Sequence, residues 1–436
     1  MQSPLLQSQL LRARSNVNLW KIPLALSLGG VALFGLTMVP DVLDALGIIH
    51  LPTWFTMGSI DDARAILSAM LGCVSTVLAL IFSVALLVLS MVATLFGPRL
   101  LYRFLHDWVT QVTIGLFMAT FVYLCLVFLV THQDPHTTFI PQVSLIMAWL
   151  LVVASFSFLV VYSHRIAASI QNPDLVARIV DDIRPEISVP ASVGSGEAPG
   201  ADVLDEQAAE GAGVECPVSG YVQEIDHAAL VAEAASAGAV VHVLFRPGQF
   251  VLRGERLASV SSARRGTDLA RRVLARVAIG RHRTIEQDPE FGIAQIVEIA
   301  LRALSPAVND TFTGVACVDW MGDALLVAAE APVHDGCWFD RAGKLRLHVR
   351  PLPTERLVRI AFDQSRQAAA DNPAVLIRML DVIRRVAPRM QTDASRDALR
   401  AEADAIREAS AAKVPIQLDR KDVEAAWKKA SEALPA

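Results

Sequence analysis

The sequence predicts a membrane protein built from a four-helix transmembrane α-bundle and a cytoplasmic α+β region. Of its 436 residues, 53% are hydrophobic and only 19% are charged, whereas soluble domains carry roughly 25% charged residues. Four long apolar runs in the first 165 residues hold much of this excess. The net charge of −5 supplies no basic field, so we exclude nucleic acid as a partner.

Each of the four runs is long enough to cross a bilayer as a helix. A hydrocarbon core of roughly 30 Å needs about 18–20 apolar residues. None of the runs contains Asp, Glu, Lys, Arg or His, which disfavours a proton-coupled transporter with a titratable group in the membrane. The predicted transmembrane domain is residues 22–165, after a cytoplasmic segment at 1–21. The four runs are residues 22–39, 65–96, 113–130 and 143–162.

Basic residues in the loops set the predicted orientation. Three of them precede the first run, two lie between the second and third runs, and none lies between the third and fourth. The first loop carries four aspartates, among them Asp41, against a single arginine. Because positively charged loops stay on the cytoplasmic side, we expect both termini in the cytoplasm.

The second run carries a stripe of small and hydroxyl residues. Its 32 uncharged residues would extend about 48 Å as a helix, and the stripe occupies an arc of about 100°. Such a stripe is typical of close helix packing, and alternatively it lines a polar pore. The stripe consists of Ser68, Gly72, Ser75, Thr76, Ala79, Ser83, Ser90 and Thr94.

After residue 165 the composition changes to that of a soluble chain. Residues 166–187 predict a short helix, and residues 188–213, rich in Gly, Ala and Ser, predict a flexible linker. Residues 214–262 predict a small β module. Its pattern G-Y-V…P-G-Q-F-V-x-x-G-x-x-L is similar to the hybrid barrel of biotinyl and lipoyl carriers and membrane-fusion adaptors. Carriers need a modifiable lysine, which this module lacks, so the resemblance implies a structural or docking module and we expect no cofactor.

Residues 263–436 predict a mostly helical domain with one β-hairpin. Its arginine-rich start is either a solvated helix face or a site for an anionic ligand or lipid headgroup. Asp288 before Pro289, and Asn309 with Asp310, predict helix caps at the two ends of one helix. They are alternatively parts of a polar site, although their separation argues against one active site within a subunit. The candidate polar or anionic-ligand site is Arg281, His282, Arg283, Glu286, Asp288, Asn309 and Asp310.

No enzyme motif stands out in the chain. H-E-x-x-H and G-x-S-x-G are absent, and the five cysteines show no C-x-x-C spacing. No lysine lies between Lys21 and Lys344, which excludes a P-loop there. We therefore expect no catalytic residues and no metal site, and an enzyme with a site between subunits is the least favoured alternative.

The run RHRTIEQDPEFGIAQIVEIALRALSPAVNDTFT resembles the signature of an uncharacterised bacterial family of predicted membrane proteins, domain of unknown function 2254. LWKIP, SGYVQEID and RPGQFV match the same family, so the resemblance extends to about residue 390. Family members often have proline at the position of Thr311. The family has no established activity, and the resemblance implies a membrane location alone.

The sequence therefore predicts an integral inner-membrane protein whose partners are the lipid bilayer and further copies of itself. In this homo-oligomer the cytoplasmic domain gates or organises the spans, and a channel-like role is the most concrete form. The alternative is a membrane-tethered sensor for a small anionic ligand or an anionic lipid.

Overall fold

A computed structural model of the chain divides into two units. The apolar unit is Asn16–Asn172, and the mixed unit is Pro173–Ala436. The structure describes residues 20–48, 59–96, 108–134, 137–170, 174–187, 196–261 and 267–434.

Four long helices form the described part of the apolar unit, and each contains one of the predicted spans. Long uncharged runs favour helices in a bilayer because a helix bonds its own backbone groups. Phe117, Tyr123 and Leu124 lie fully buried in the shared core. A short hairpin of β1 (His132–Asp134) and β2 (Thr137–Phe139) precedes the last helix. The helices are α1 (Lys21–Ala45), α2 (Ile60–Phe96), α3 (Trp108–Val130) and α4 (Gln142–Ile170).

The first helix is longer than its apolar run. It continues past Pro40 to Ala45, and it thereby carries Asp41 into the unit, where the residue is only 3% exposed. The prediction that Asp41 lies in the first loop is wrong. The physical reason is that its carboxylate finds hydrogen-bond donors on α4, which a reading of α1 alone does not show.

Ten α-helices and eight strands form the described part of the mixed unit. The helices are α5 (Asp174–Ile187), α6 (Ala201–Glu210), α7 (His227–Ala237), α8 (Thr267–Ala275), α9 (Pro289–Ala303), α10 (Thr311–Glu330), α11 (Thr354–Ala368), α12 (Pro373–Val386), α13 (Asp393–Lys413) and α14 (Gln417–Glu432). The strands are β3 (Ala212–Glu215), β4 (Gly220–Ile225), β5 (Val240–Val243), β6 (Phe250–Val251), β7 (Arg256–Ser261), β8 (Val277–Gly280), β9 (Cys337–Phe339) and β10 (Leu345–Val349).

The strands form two sheets. One has the order β3-β7-β5-β10-β9, in which β10 runs parallel to β5 and the other pairs are antiparallel. The other sheet is antiparallel, with the order β6-β4-β8. The pair β9 and β10 forms the predicted hairpin. Both sheets cross the predicted module boundary at residue 262, because β8 and β10 pair with strands of the module. The hybrid-barrel resemblance stays a prediction.

The predicted linker at 188–213 contains ordered elements. Residues 188–195 lie outside the described part, but α6 and the start of β3 fall within the range. Leu204 of α6 is buried with Cys337 and Phe339 of β9. The guanidinium of Arg256 donates to the carbonyl of Ala209 at 3.1 Å. The composition of the segment alone does not predict the burial of α6, because the strand that buries it, β9, lies more than 100 residues later in the chain.

Among the described residues, five helices are long and apolar enough to cross a membrane. Four are α1 to α4, and the fifth is α10 in the mixed unit. Half of α10 is buried within its own unit, where Cys317, Val318 and Met321 are fully covered.

Candidate functional site

The stripe on α2 lies on a face that is largely exposed within the part of the chain that the structure describes. Ser68, Gly72, Thr76, Ala79, Ser83 and Ser90 are exposed and Ser75 is half-buried, whereas the side chain of Thr94 lies outside the described residues. The residues of α2 that face the unit's interior are Ile60, Ala63, Leu67, Val74 and Ile81. At 100° per residue, the centres of these two faces are about 150° apart. The stripe is therefore mostly exposed within the described part of the chain, and a Cβ atom at Gly72 would meet nothing within 4 Å.

The hydroxyl groups of the stripe donate to their own helix. Ser75 Oγ donates to the carbonyl of Leu71 at 2.6 Å. Thr76 and Ser83 make the same bond to the carbonyls four residues before them, at 2.8 and 2.9 Å. These bonds satisfy the hydroxyl protons of Ser75, Thr76 and Ser83 within α2. These three residues can therefore face an apolar environment or another helix without leaving their donors unsatisfied.

At the start of α9, Asp288 is a buried helix cap, as the sequence predicts. Its carboxylate accepts from the backbone N–H of Phe291 at 3.1 Å and from Nε and Nη2 of Arg283, both at 2.9 Å. Burial raises the pKa of Asp288 to about 6, against the lowering effect of Arg283. Gly248, at φ +87°, lies so close that a Cβ atom there would overlap the carboxylate. The RPGQF loop therefore closes over this pair.

Glu290, two residues after Asp288, lies close to three arginines. Arg356 donates to it from Nε at 2.7 Å and from Nη2 at 3.1 Å. Arg246 and Arg283 lie 3.3 and 3.5 Å from its oxygens. Burial alone would raise the pKa of Glu290, but the hydrogen bonds and charges of these arginines hold it below its usual value. The guanidinium of Arg283 is thus already paired within the protein.

A cleft of about 610 Å³ lies beside Glu290, between α9 and α11. Its charged lining includes the arginines Arg356 and Arg359. The carboxylates of Glu290, Glu355 and Asp363 line the same cleft. Because carboxylates outnumber guanidinium groups there, the cleft does not favour an anionic ligand.

The other predicted polar residues lie apart from Asp288. Arg281, His282 and Glu286 are exposed in the turn before α9. Asp310 caps α10, since it accepts from the backbone N–H of Thr313 at 3.0 Å and from its hydroxyl at 2.6 Å. Asn309 precedes it at φ +49°, a left-handed conformation that asparagine tolerates. The two caps lie at opposite ends of the 15-residue helix α9, about 22 Å apart. The structure does not bring them together within one chain.

In the chain, the helix α5 lies between α4 and the signature helices, which are α9 and α10, the two helices that contain the family signature at 281–313. It begins four residues after Ile170 and packs on α9 and α10. A carboxylate oxygen of Glu186 accepts from the backbone N–H of Gln287 at 2.7 Å. Arg184 pairs with Asp323 of α10 at 2.9 Å. The helix α5 is thus bound both to the turn before α9 and to the middle of α10.

The sequence did not predict a buried polar cluster inside the apolar unit. Asp41 accepts from the backbone N–H groups of Val143 and Ser144 at 2.8 and 3.0 Å, and from Ser144 Oγ at 2.6 Å. Ser144 Oγ lies 3.2 Å from Thr37 Oγ1, which lies 2.8 Å from the hydroxyl of Tyr123. The available signal was the four-residue spacing of Thr37 and Asp41, which places both on one helix face.

These features define a membrane protein that joins apolar helices to a mixed helical and sheet unit. The chain belongs to the family described as "Predicted membrane protein (DUF2254)", whose model matches residues 16–385. It is similar to three uncharacterized proteins, one from Mycobacterium bovis and two from strains of Mycobacterium tuberculosis. Each is 30% identical over 387 residues, which cover 84% of this chain and 71% of the relative. No solved structure matches the chain. The family resemblance predicted from the signature is confirmed.

Proposed function

We propose that this chain is a four-span protein of the bacterial inner membrane that assembles with copies of itself along α2. Its spans are α1 to α4, both termini are cytoplasmic, and the mixed unit organises or gates the spans. The observation that carries the proposal is the position of the stripe, on a face of α2 that the described residues of its own chain leave largely exposed.

A second copy is a better partner for this face than lipid tails. Small residues let two helix backbones approach closely, and the resulting packing drives association in a bilayer. Gly72 and Ala79 offer that approach, and the hydroxyls of Ser75 and Thr76 between them are already bonded within the helix. Lipid tails gain no comparable contact from a flat stripe of small side chains.

The gating role rests on α5. The helix α5 follows α4 along the chain and is bound to Gln287 and Asp323. In this proposal it is the element that connects the fourth span to α9 and α10. This path supports a mixed unit that organises the spans.

Cysteine cross-linking tests the assembly. In a background with Cys73 and Cys125 replaced by Ala, Ala79→Cys is compared with Leu80→Cys under oxidation in membranes. Both positions are exposed, but they point about 100° apart on α2. We expect a disulfide dimer for Ala79→Cys alone, since a disulfide needs Cα atoms about 4.4–6.8 Å apart. Equal yields at the two positions, or none at either, would contradict assembly along the stripe.

Ion flux tests the channel-like form of the proposal. Liposomes holding the protein are compared with liposomes holding a Ser75→Leu, Ser83→Leu double variant. A channel along the stripe predicts potassium or chloride flux that the double variant loses while its oligomeric state is kept. No flux from the wild-type protein would remove conduction along the stripe and leave the assembly standing.

The alternative of a sensor for an anionic ligand or lipid headgroup receives less support. Of the two arginines named for its test, Arg283 is paired with Asp288, and Arg281 lies with His282 in an exposed turn. The enzyme with a site between subunits likewise stays a prediction. Saturable binding of inorganic phosphate that Arg281→Ala abolishes would revive the sensor.

A further inference from the structure

We propose that the loop between α9 and α10 rests on the lipid surface of the bilayer, with the side chains of Val308 and Phe312 inserted into its interfacial layer. This contact goes beyond assembly along α2 and needs no second copy of the chain, although it rests on the proposed spans α1 to α4. Two observations carry it. One is an exposed apolar tip on the mixed unit, and the other is the short segment that joins the same end of that unit to α4.

The loop between α9 and α10 presents apolar side chains to solvent. Phe312 is 89% exposed, more than any other large hydrophobic side chain among the described residues, and Val308 is 50% exposed. Pro306 and Ala307 are exposed beside them. Adjoining exposed apolar side chains mark a surface for a partner or a membrane. These four residues, which we call the apolar tip, therefore gain from an apolar environment.

The apolar tip is held in place by hydrogen bonds, so its exposure is a property of the fold. The backbone N–H of Asp310 donates to the carbonyl of Ala303 at 2.7 Å. The side-chain amide of Asn372 donates to Thr311 Oγ1 at 2.7 Å. Asp310 is the only charged residue between positions 303 and 318, and its carboxylate accepts from both the N–H and the hydroxyl of Thr313. The charge of the loop is thus engaged within α10.

The contacts of α5 show which end of this helix lies beside the apolar tip. Near the end of α5, Glu186 accepts from the backbone N–H of Gln287, just before α9. One turn earlier in α5, Ile183 occupies the space where a Cβ atom at Gly292 would lie. A step backward along α5 is thus a step forward along α9, so the two helices are antiparallel. The start of α5 lies beside the end of α9, where the loop with the apolar tip begins.

The start of α5 is also the part of the mixed unit that the chain ties most closely to the membrane. Helix α4 ends at Ile170 and α5 begins at Asp174, and four residues reach at most about 14 Å when fully extended. The apolar run of α4 ends at Tyr162, and residues 163–170 continue the helix for about 12 Å. The headgroup layer begins at the end of such a run and is about 5–8 Å thick. Chain length therefore keeps the start of α5 within reach of the headgroups.

A lipid surface fits the apolar tip better than a protein partner does. Phe312 protrudes almost completely from its unit, so a protein would need a pocket of matching shape to cover it. The interfacial layer of a bilayer adapts to the shape of an inserted side chain, and phenylalanine is one of the residues that proteins place there. The uncharged residues around Val308 suit this layer whatever the charge of the headgroups.

Quenching by lipid-borne spin labels tests the contact. Full-length protein with Cys73 and Cys125 replaced by Ala carries the fluorophore NBD at Phe312→Cys, since the other three cysteines are buried. It is reconstituted in phosphatidylcholine vesicles with or without doxyl-labelled phosphatidylcholine. We expect the doxyl lipid to lower the fluorescence about twofold, as for a residue in the interfacial layer. The matched control is Val333→Cys, which is 67% exposed past the far end of α10, about 27 Å along that helix, and should keep its fluorescence.

Equal quenching at the two positions, or none at Phe312→Cys, would overturn the proposal. A label at Leu36→Cys, which is 70% exposed on α1, separates this failure from a failure of the spans. Quenching at Leu36→Cys alone would leave the spans standing and remove the lipid contact, whereas no quenching at either position would remove both. A disulfide between two copies of unlabelled Phe312→Cys, without quenching of the labelled protein, would assign the apolar tip to a second copy and equally overturn the proposal.

Discussion

The stripe on α2 and the buried polar cluster around Asp41 use similar side chains for opposite purposes. The stripe hydroxyls donate to carbonyls of their own helix, as Ser75 does to Leu71. The cluster hydroxyls bond between helices, as Thr37 does with Tyr123. The first arrangement leaves α2 free to contact something outside its chain, whereas the second fixes α1, α3 and α4 to one another. The chemistry of a polar residue in a membrane helix thus depends on where its hydrogen bond ends.

The strongest way to break this comparison is to remove the carboxylate. Asp41→Ala should destabilise the apolar unit by about 3–5 kcal/mol, because it leaves two buried N–H groups and a hydroxyl without their acceptor. Thermal unfolding in detergent measures the loss. The control is Ser83→Ala, which should change stability by less than about 0.5 kcal/mol because its hydroxyl is exposed and self-bonded. Similar losses in the two variants would mean that both clusters are structural in the same way.

Asp288 sharpens the comparison, since it is a buried capping carboxylate that has an arginine beside it. Its pKa is raised from 3.8 to about 6, so its contribution to stability is complete below pH about 4 and is lost as the pH rises through about 6. At about 1.4 kcal/mol per pKa unit, the change is about 3 kcal/mol. Denaturant unfolding between pH 4 and 7 should show this slope in the wild type. A slope of the same size in Asp288→Asn would assign it to another group.

Glycines provide a smaller contrast between packed and uncovered faces. A Cβ atom at Gly115 of α3 would lie 2.9 Å from the backbone of Pro23, where neither helix can easily give way. Gly115→Ala should therefore cost about 1–3 kcal/mol. Gly72 lies in open space within its own chain, so in detergent-dispersed monomers Gly72→Ala should be neutral or stabilise α2 by up to about 1 kcal/mol. Melting temperatures of the two monomeric variants test this, and a loss at Gly72 would show that it packs against another part of its own chain.

The smallest expected effect lies in the pair that connects α5 to α10. Arg184→Ala should cost less than about 1 kcal/mol, because this arginine is half exposed and such surface pairs contribute little. Thermal unfolding of the mixed unit checks it. A loss of several kcal/mol would contradict this expectation, and would mean that the pair makes a larger contribution to holding α5 on α10 than its exposure predicts.

Local patterns predicted much of this fold and part of the site. Apolar runs predicted α1 to α4, and the residue types around Pro289 and Thr311 predicted the caps Asp288 and Asp310, because a cap acts within three residues. The pairing of Arg283 with Asp288 is equally local. Glu290 and Arg356 are 66 positions apart, and no local pattern connects them.

The same limit explains what the sequence reading missed. Asp41 looked like a loop residue because its acceptor role depends on α4, and α6 looked like a linker because its apolar face meets β9. The stripe was found by periodicity, yet periodicity does not show which of its faces the other helices cover. Long-range pairing decided each of these points.

The parallel pairing of β10 with β5 has a consequence for the order in which the protein is made. About 100 residues, including the signature helices, are synthesised between the two strands. Until Val349 leaves the ribosome, β5 has no neighbour on that side, and its open edge can pair with other chains. By then α1 to α4 have long been available to the membrane. We therefore expect insertion to come first and the sheet to close last, so a chain truncated before β10 should insert normally yet aggregate through its unfinished sheet.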